Sequence, residues 1–290
     1  MKLGLNLLLW TSHVGEMHYP LISRIKAAGF DGVEVPILAG DTAHYHQLGA
    51  FLRDEGLACT AVTIIPDEAR SPVSPEASRR RAALDYLRHI SDCSAAMGAE
   101  LLLGPYHSPL GVFTGVGATA TEKQHCAEVH RAFAEHAKNQ NIGLAMEWLN
   151  RFESYFCTTM AEAAEYVKLV DHPNFSSMFD TFHANIEEKN SAAAIRAALP
   201  QIRHFHVSEN DRGTPGKGHI DFLPQFQALR DGGYDQWLTI EAFGRGLPDL
   251  AAATRVWRDF FPAPEEVYLE GGPLVRKLWA EAAAPRLQSV

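Results

Sequence analysis

Cysteine, long apolar runs and positive charge are all scarce in this 290-residue sequence, and each shortage removes a class of protein. The four cysteines, Cys59, Cys93, Cys126 and Cys157, are dispersed and form no CxxC pair, which speaks against a disulfide scaffold or a thiolate zinc site. Each falls in or beside a stretch that reads as buried, so they are expected to be small core residues of a reduced, cytoplasmic chain. The stretch Met1 to Trp10 is apolar over only a strand's length and runs into polar Thr11-Ser12-His13. It reads as a buried first strand, not as a signal peptide or a membrane span. Lys and Arg number 26 against 35 Asp and Glu, a net charge of -9, and the nearest thing to a basic block, Arg79-Arg80-Arg81, reads as a solvated face before a helix. Binding to nucleic acid through phosphate neutralisation is therefore disfavoured. A glycine-rich first turn of the dinucleotide-binding kind is also missing. The segment Gly213-Thr214-Pro215-Gly216-Lys217-Gly218 lacks the GxxxxGK[ST] spacing and is expected instead to be a flexible lid beside Arg212; a contact from Lys217 to the phosphate of a phosphorylated sugar is the lesser alternative.

What is present is an alternation of short apolar runs with longer amphipathic ones, the mark of repeated βα units. Strands are expected at Lys2 to Trp10, Gly32 to Ile37, Leu57 to Ile65, Leu101 to Tyr106, Ile142 to Asn150, Phe175 to His183, Ile202 to Glu209 and Trp237 to Phe243. Helical patterns lie around Tyr19 to Ala28, Ala43 to Glu55, Pro75 to Met97, Thr121 to Asn139, Thr159 to Val170, Ser191 to Leu199, Leu223 to Arg230 and Pro248 to Phe260. Gly29, Gly56, Gly98 and Gly232-Gly233 stand where these helices should stop. Eight units without a break argue for an α/β fold closed into a (β/α)8 TIM barrel over 1–262, a length one barrel commonly takes. Beyond Pro262-Ala263-Pro264, 263–290 read as a C-terminal helical extension with one helix from Glu265 to Ala282, packed on the barrel or on a neighbouring subunit.

In such a barrel the polar residues that matter stand where strands end and βα loops begin. Glu147, Asp180, His206 and Glu241 stand at or near the ends of four successive apolar runs. Burying each as an isolated charge would be costly, and a shared cation removes that cost. Three carboxylates and one imidazole make a hard, oxygen-rich set that suits one Mn²⁺, Mg²⁺ or Co²⁺ ion. Four protein ligands on a six-coordinate ion leave two positions for adjacent substrate oxygens. His204 shares the inward face of His206 by strand periodicity and is expected to be a hydrogen-bonded histidine beneath the site.

The segments Glu147-Trp148-Leu149-Asn150-Arg151-Phe152-Glu153, Phe179-Asp180-Thr181-Phe182-His183-Ala184-Asn185-Ile186-Glu187-Glu188, His204-Phe205-His206-Val207-Ser208-Glu209-Asn210 and Ile240-Glu241-Ala242-Phe243 resemble the ketose 3-epimerase family, within the xylose isomerase-like barrels. The resemblance extends over essentially the whole chain. It implies one divalent ion, Mn²⁺ first, on Glu147, Asp180, His206 and Glu241, with Glu147 and Glu241 doubling as catalytic acid and base, and substrate-binding roles for Glu153, His183 and Arg212. It also implies a small-molecule ketose as substrate and a homodimer or homotetramer as the assembly. Where several relatives carry an aromatic or His residue this chain has Asn6; Asn6 and Phe113 are expected to line the far end of the sugar. The proton on carbon 3 is acidified by the neighbouring carbonyl, so a cation on O2 and O3 and two opposed carboxylates suffice for epimerisation without a redox cofactor. The alternatives on the same scaffold are an aldose-ketose or hydroxypyruvate-type isomerase, an inosose dehydratase, or a sugar-binding barrel without turnover.

Overall fold

A computed structural model describes residues 1–283. Eight parallel strands close into a barrel in sequence order: β1 (Lys2–Asn6), β2 (Gly32–Pro36), β3 (Ala58–Val62), β4 (Leu101–Gly104), β5 (Gly143–Met146), β6 (Phe175–Asp180), β7 (Ile202–Val207) and β8 (Trp237–Ile240). The fold is the expected TIM barrel. Around it run α1 (Tyr19–Ala27), α2 (Thr42–Asp54), α3 (Ala77–Met97), α4 (Ala120–Asn139), α5 (Met160–Val170), α6 (Thr181–Glu187), α7 (Ser191–Ala198), α8 (Leu223–Asp231), α9 (Pro248–Thr254) and α10 (Gly272–Glu281). Strand residues are buried almost without interruption, as parallel strands covered by helices must be. The main core lies between barrel and helices; Val62, Leu103, Ala145 and Met178 form a smaller apolar cluster of their own. Among the described residues no helix is long and apolar enough to cross a membrane.

Register carries the site. Asn6 at the end of β1 lies beside Glu34 of β2, Leu5 lies beside Ile240 so that Asn6 and Glu241 follow together, and Asp180 of β6 lies beside His206 of β7.

Several strands end earlier than the sequence suggests, because the residues after Met146, Asp180, Val207 and Ile240 have already turned into βα loops. The clearest case is Phe175 to His183: Asp180 closes the strand and at once caps α6, its Oδ1 accepting from the Phe182 amide at 2.6 Å. The helix expected at Pro248 to Phe260, α9, stops at Thr254, since Arg255 takes a left-handed conformation with φ 61°. Toward the C-terminus a π-helical turn, Val267–Gly271, feeds α10, and Trp279 packs its ring 6.0 Å from Phe226 of α8. Arg276 donates to Gly29 O and pairs with Asp31 at 3.0 Å. The end of the expected extension, 284–290, lies outside the described residues.

Candidate metal centre and active site

Glu147 and Glu241 each stand one residue beyond a strand, and their amides donate to Gly104 O at 3.0 Å and Val207 O at 3.3 Å, which carries the ladder one step past the assigned strand ends. Gly104 is needed for this: with φ 119°, a Cβ there would come within 2.1 Å of Thr63 O. The result is that one ligand atom from each of Glu147, Asp180, His206 and Glu241 falls within 4.8 Å of the others. That spread is little more than roughly twice a typical oxygen–cation bond length. All four residues are 4% exposed or less.

The orientation of His206 is set from below. Its Nε2 donates to Glu34 Oε1 at 2.8 Å, and Glu34 is in turn held by Thr60 Oγ1 at 2.9 Å and the Asn6 amide at 2.9 Å, with His204 Nε2 at 3.1 Å. With Nε2 carrying the proton, Nδ1 presents its lone pair upward. This atom has no hydrogen-bond partner, yet it lies 3.4 Å from Asp180 Oδ2, 3.5 Å from Glu241 Oε1 and 4.0 Å from Glu147 Oε1. Four acceptors converging in a buried space repel one another until a proton or a cation enters. The surrounding charges act in the same sense: burial would lower His206, but Glu34 and Glu241 outweigh it and hold the imidazole's affinity for a proton well above the usual histidine range. Burial, reinforced by the charge of Glu241, holds the Glu147 carboxyl above its usual range despite the His183 hydrogen bond. At Asp180, Arg212 and His183 overcome burial and keep the carboxyl well below the usual range. The donor set and its orphaned nitrogen fit a hard divalent cation.

Arg212, which has φ 66°, reaches into this cluster. Its Nη1 donates to Glu241 Oε2 at 2.8 Å and Asp180 Oδ2 at 3.3 Å, and its guanidinium lies 3.7 Å over the Phe182 ring. His183 accepts the Asn150 amide proton at Nδ1, 3.1 Å, and its Nε2 lies between Arg212 Nη2 at 3.2 Å and Glu147 Oε1 at 3.4 Å. Glu153 is held by the Asn150 side chain at 2.8 Å. Above them opens a cavity of about 270 Å³ whose floor includes Glu147, Glu153, His183, Arg212 and Glu241, and whose walls include Leu38, Ile64, Leu110, Leu149, Phe243 and Leu250.

Three expectations are placed differently. Asn6, 1% exposed and outside this lining, lies beneath the floor with both amide hydrogens committed. Phe113 stands 48% exposed on the loop after β4 and is also outside the lining. The segment Gly213 to Gly218 is no free lid: the buried Glu209 carboxylate accepts the Gly216 and Ile220 amides at 2.9 and 3.0 Å, Thr214 donates to Glu266, and Lys217 pairs with Glu270 at 2.7 Å, away from the cavity.

Residues 22–269 match the xylose isomerase-like TIM barrel family. A D-psicose 3-epimerase of Agrobacterium fabrum is 30% identical over 287 residues, 97% of this chain and 96% of the relative. The chain belongs to the ketose 3-epimerase family of xylose isomerase-like TIM barrels. It is an enzyme of the isomerase class. A probable ketose 3-epimerase of Synechocystis sp. is 29% identical over 96% of this chain and 97% of its own. The crystal structure of D-psicose 3-epimerase with D-tagatose from Clostridium cellulolyticum H10 superposes with a TM-score of 0.88 at 26% identity, covering 98% of this chain and 100% of that one.

Within this epimerase fold the Asp180 to Glu188 motif is a scaffold as much as a source of ligands. After Asp180 and His183, Glu187 accepts Arg151 through its backbone amide at 2.8 Å and through Nε and Nη2, and Glu188 Oε1 accepts the Met160 amide at 2.8 Å. Those bonds pin the loop that carries Glu153. Asn150, Ser208 and Glu209 also shape the site without being expected to: Ser208 Oγ donates to Asp180 Oδ2 at 3.1 Å, and Glu209 holds the loop of Arg212 from underneath. Their signal was position alone, since each is a polar residue next to a strand end.

Proposed function

We propose that this protein epimerises a free ketose at carbon 3 through a cis-enediolate in a metal-dependent reaction, with Glu147 and Glu241 as acid and base. The observation that carries this reading is the pair of buried glutamates on either side of the orphaned His206 Nδ1 at a cavity floor. A divalent cation on Glu147, Asp180, His206 and Glu241, Mn²⁺ first with Co²⁺ or Mg²⁺ as alternatives, would set positive charge against the sugar's O2 and O3 and stabilise the enediolate. One glutamate, deprotonated, removes the carbon-3 proton, while the other, holding a proton, returns one to the opposite face. Arg212 and His183 donate toward the O1 and O2 end, where negative charge develops, and Glu153 accepts from a sugar hydroxyl. The pairing of Lys217 with Glu270 supports a free sugar over a phosphorylated one. In the same reading 1–262 form the catalytic barrel and 263–290 its helical extension, in a cytoplasmic homodimer or homotetramer; the four free, buried thiols accord with a reducing compartment.

The test is incubation with D-psicose, D-tagatose and L-ribulose in D₂O with Mn²⁺. Epimer formation with deuterium at carbon 3 is the expected result. Deuterium at carbon 1, or loss of water from the sugar, would move the chain to the isomerase or dehydratase alternatives, and tight sugar binding with no exchange at all would make it a binding barrel.

A further inference from the structure

Asn6 lies outside the cavity lining, with its side-chain amide committed to hydrogen bonds at both ends. Its Oδ1 accepts the Leu8 amide at 2.8 Å, capping the short 3₁₀ turn Leu7–Leu9 that follows β1. That cap decides which end of the amide faces the barrel interior. The nitrogen is left there with two hydrogens and two acceptors, Glu34 Oε1 at 2.9 Å and Glu241 Oε1 at 3.0 Å. Glu34 Oε1 is the same oxygen that receives the proton of His206 Nε2. Glu241 is thereby gripped from both sides, by Asn6 on Oε1 and by Arg212 on Oε2.

We propose that Asn6 is a positioning residue whose single side-chain amide ties the Glu241 carboxylate to the Glu34–His206 pair, so that the carboxylate's direction and the imidazole's tautomer are set together. This rests on the reading of Glu147, Asp180, His206 and Glu241 as a metal site. An aromatic side chain at this position would have no two hydrogens to share between two carboxylates. An aspartate would keep the cap but add a third buried carboxylate with nothing to donate.

The cap and the bridge separate by substitution. In Asn6→Leu both are lost; in Asn6→Ser the hydroxyl can still cap the turn but is too short to span two carboxylates. Metal-stripped protein is titrated with Mn²⁺ by calorimetry, and kcat and KM are measured on the ketose that the wild type turns over. Both variants are expected to bind Mn²⁺ about 10- to 100-fold more weakly, the usual effect of removing a group that orients a metal ligand. Their kcat should fall by roughly 10-fold or more with KM changed little, as for an interaction expressed in the transition state. Wild-type Mn²⁺ affinity in Asn6→Ser would reduce Asn6 to a turn cap and overturn the proposal. Unchanged affinity with a raised KM would return Asn6 to the sugar and overturn it equally. If the wild type itself takes up no Mn²⁺, the metal reading fails first, and that result is distinct from a tight wild type with unperturbed variants.

Discussion

The two ends of this barrel treat charge in opposite ways. Where the strands begin, two ion pairs face solvent: the Met1 amino group pairs with Asp235, and Lys2 with Glu100, side chains 45% and 42% exposed. Where the strands end, Glu34, Glu147, Asp180 and Glu241 are all buried, and among the described residues the one guanidinium set among them is that of Arg212. Exposed pairs in water contribute little and are individually expendable. A buried surplus of carboxylates works against the fold on its own and persists only where something else requires it. The contrast separates the face that holds the protein together from the face that acts.

The widest gap between the two faces should appear when either glutamate at the active end loses its charge. Glu147→Gln and Glu241→Gln should each reduce turnover by about 1,000-fold or more, the upper range for losing an acid–base group. Metal-free Glu147→Gln should melt no lower than metal-free wild type, because one member of a repelling cluster has been neutralised; in Glu241→Gln that gain is offset by an NH₂ group turned toward Asn6 or Arg212. Circular dichroism melts in excess EDTA, run beside turnover assays in Mn²⁺, read both halves. A variant that melts normally and still turns over at the wild-type rate would remove the glutamate concerned from the chemistry.

Why this end is legible in the sequence is itself physical. Position at the C-terminal edge of an apolar run is a one-dimensional property, and Glu147, Asp180, His206 and Glu241 all have it. The alternation that closes the barrel is likewise written along the chain. What could not be read is contact across the barrel. Asn6 also stands at a strand end, but its partners, Glu34 and Glu241, lie 28 and 235 residues away, and only the closed register brings them together. Phe113 sits on a loop whose path no periodicity dictates. The α6 helix has seven residues, too few to show a helical period, and its start is set by a cap, Asp180, that reads equally well as the end of a strand. Glu209 reads in the sequence as the last residue of the seventh strand, yet it lies past the strand in a loop that its carboxylate organises.

A smaller effect, still at the active end, should follow from Glu209. Its two oxygens accept the backbone amides of Asn210, Gly216 and Ile220, and the loop they hold delivers Arg212 to Glu241 and Asp180. In Glu209→Gln an NH₂ group must face at least one of those N–H donors, at a cost of about 1.5–3 kcal/mol for a bond to a charged acceptor. Arg212 should then be held less firmly. The expected outcome is a KM raised about 10-fold, matching roughly 1.4 kcal/mol of binding, with kcat reduced less. Wild-type KM in a folded Glu209→Gln protein would show that Arg212 is positioned by Phe182 and its carboxylate partners without help from the loop.

The smallest effect belongs at the opposite face. Glu100 receives Lys2 on one oxygen and the Trp237 indole on the other, at 2.9 Å, in a solvated setting. In Glu100→Gln the amide oxygen can still accept from Trp237, so what is lost is the pairing with Lys2, worth at most about 1 kcal/mol when exposed. Urea titration should shift by no more than that, and by less in high salt, because surface pairs are screened. The kcat and KM should be those of the wild type. A changed turnover would mean that the two faces are coupled through β8 and β1, which Trp237 and Lys2 join at their starts, and the division of labour between the barrel ends would have to be abandoned.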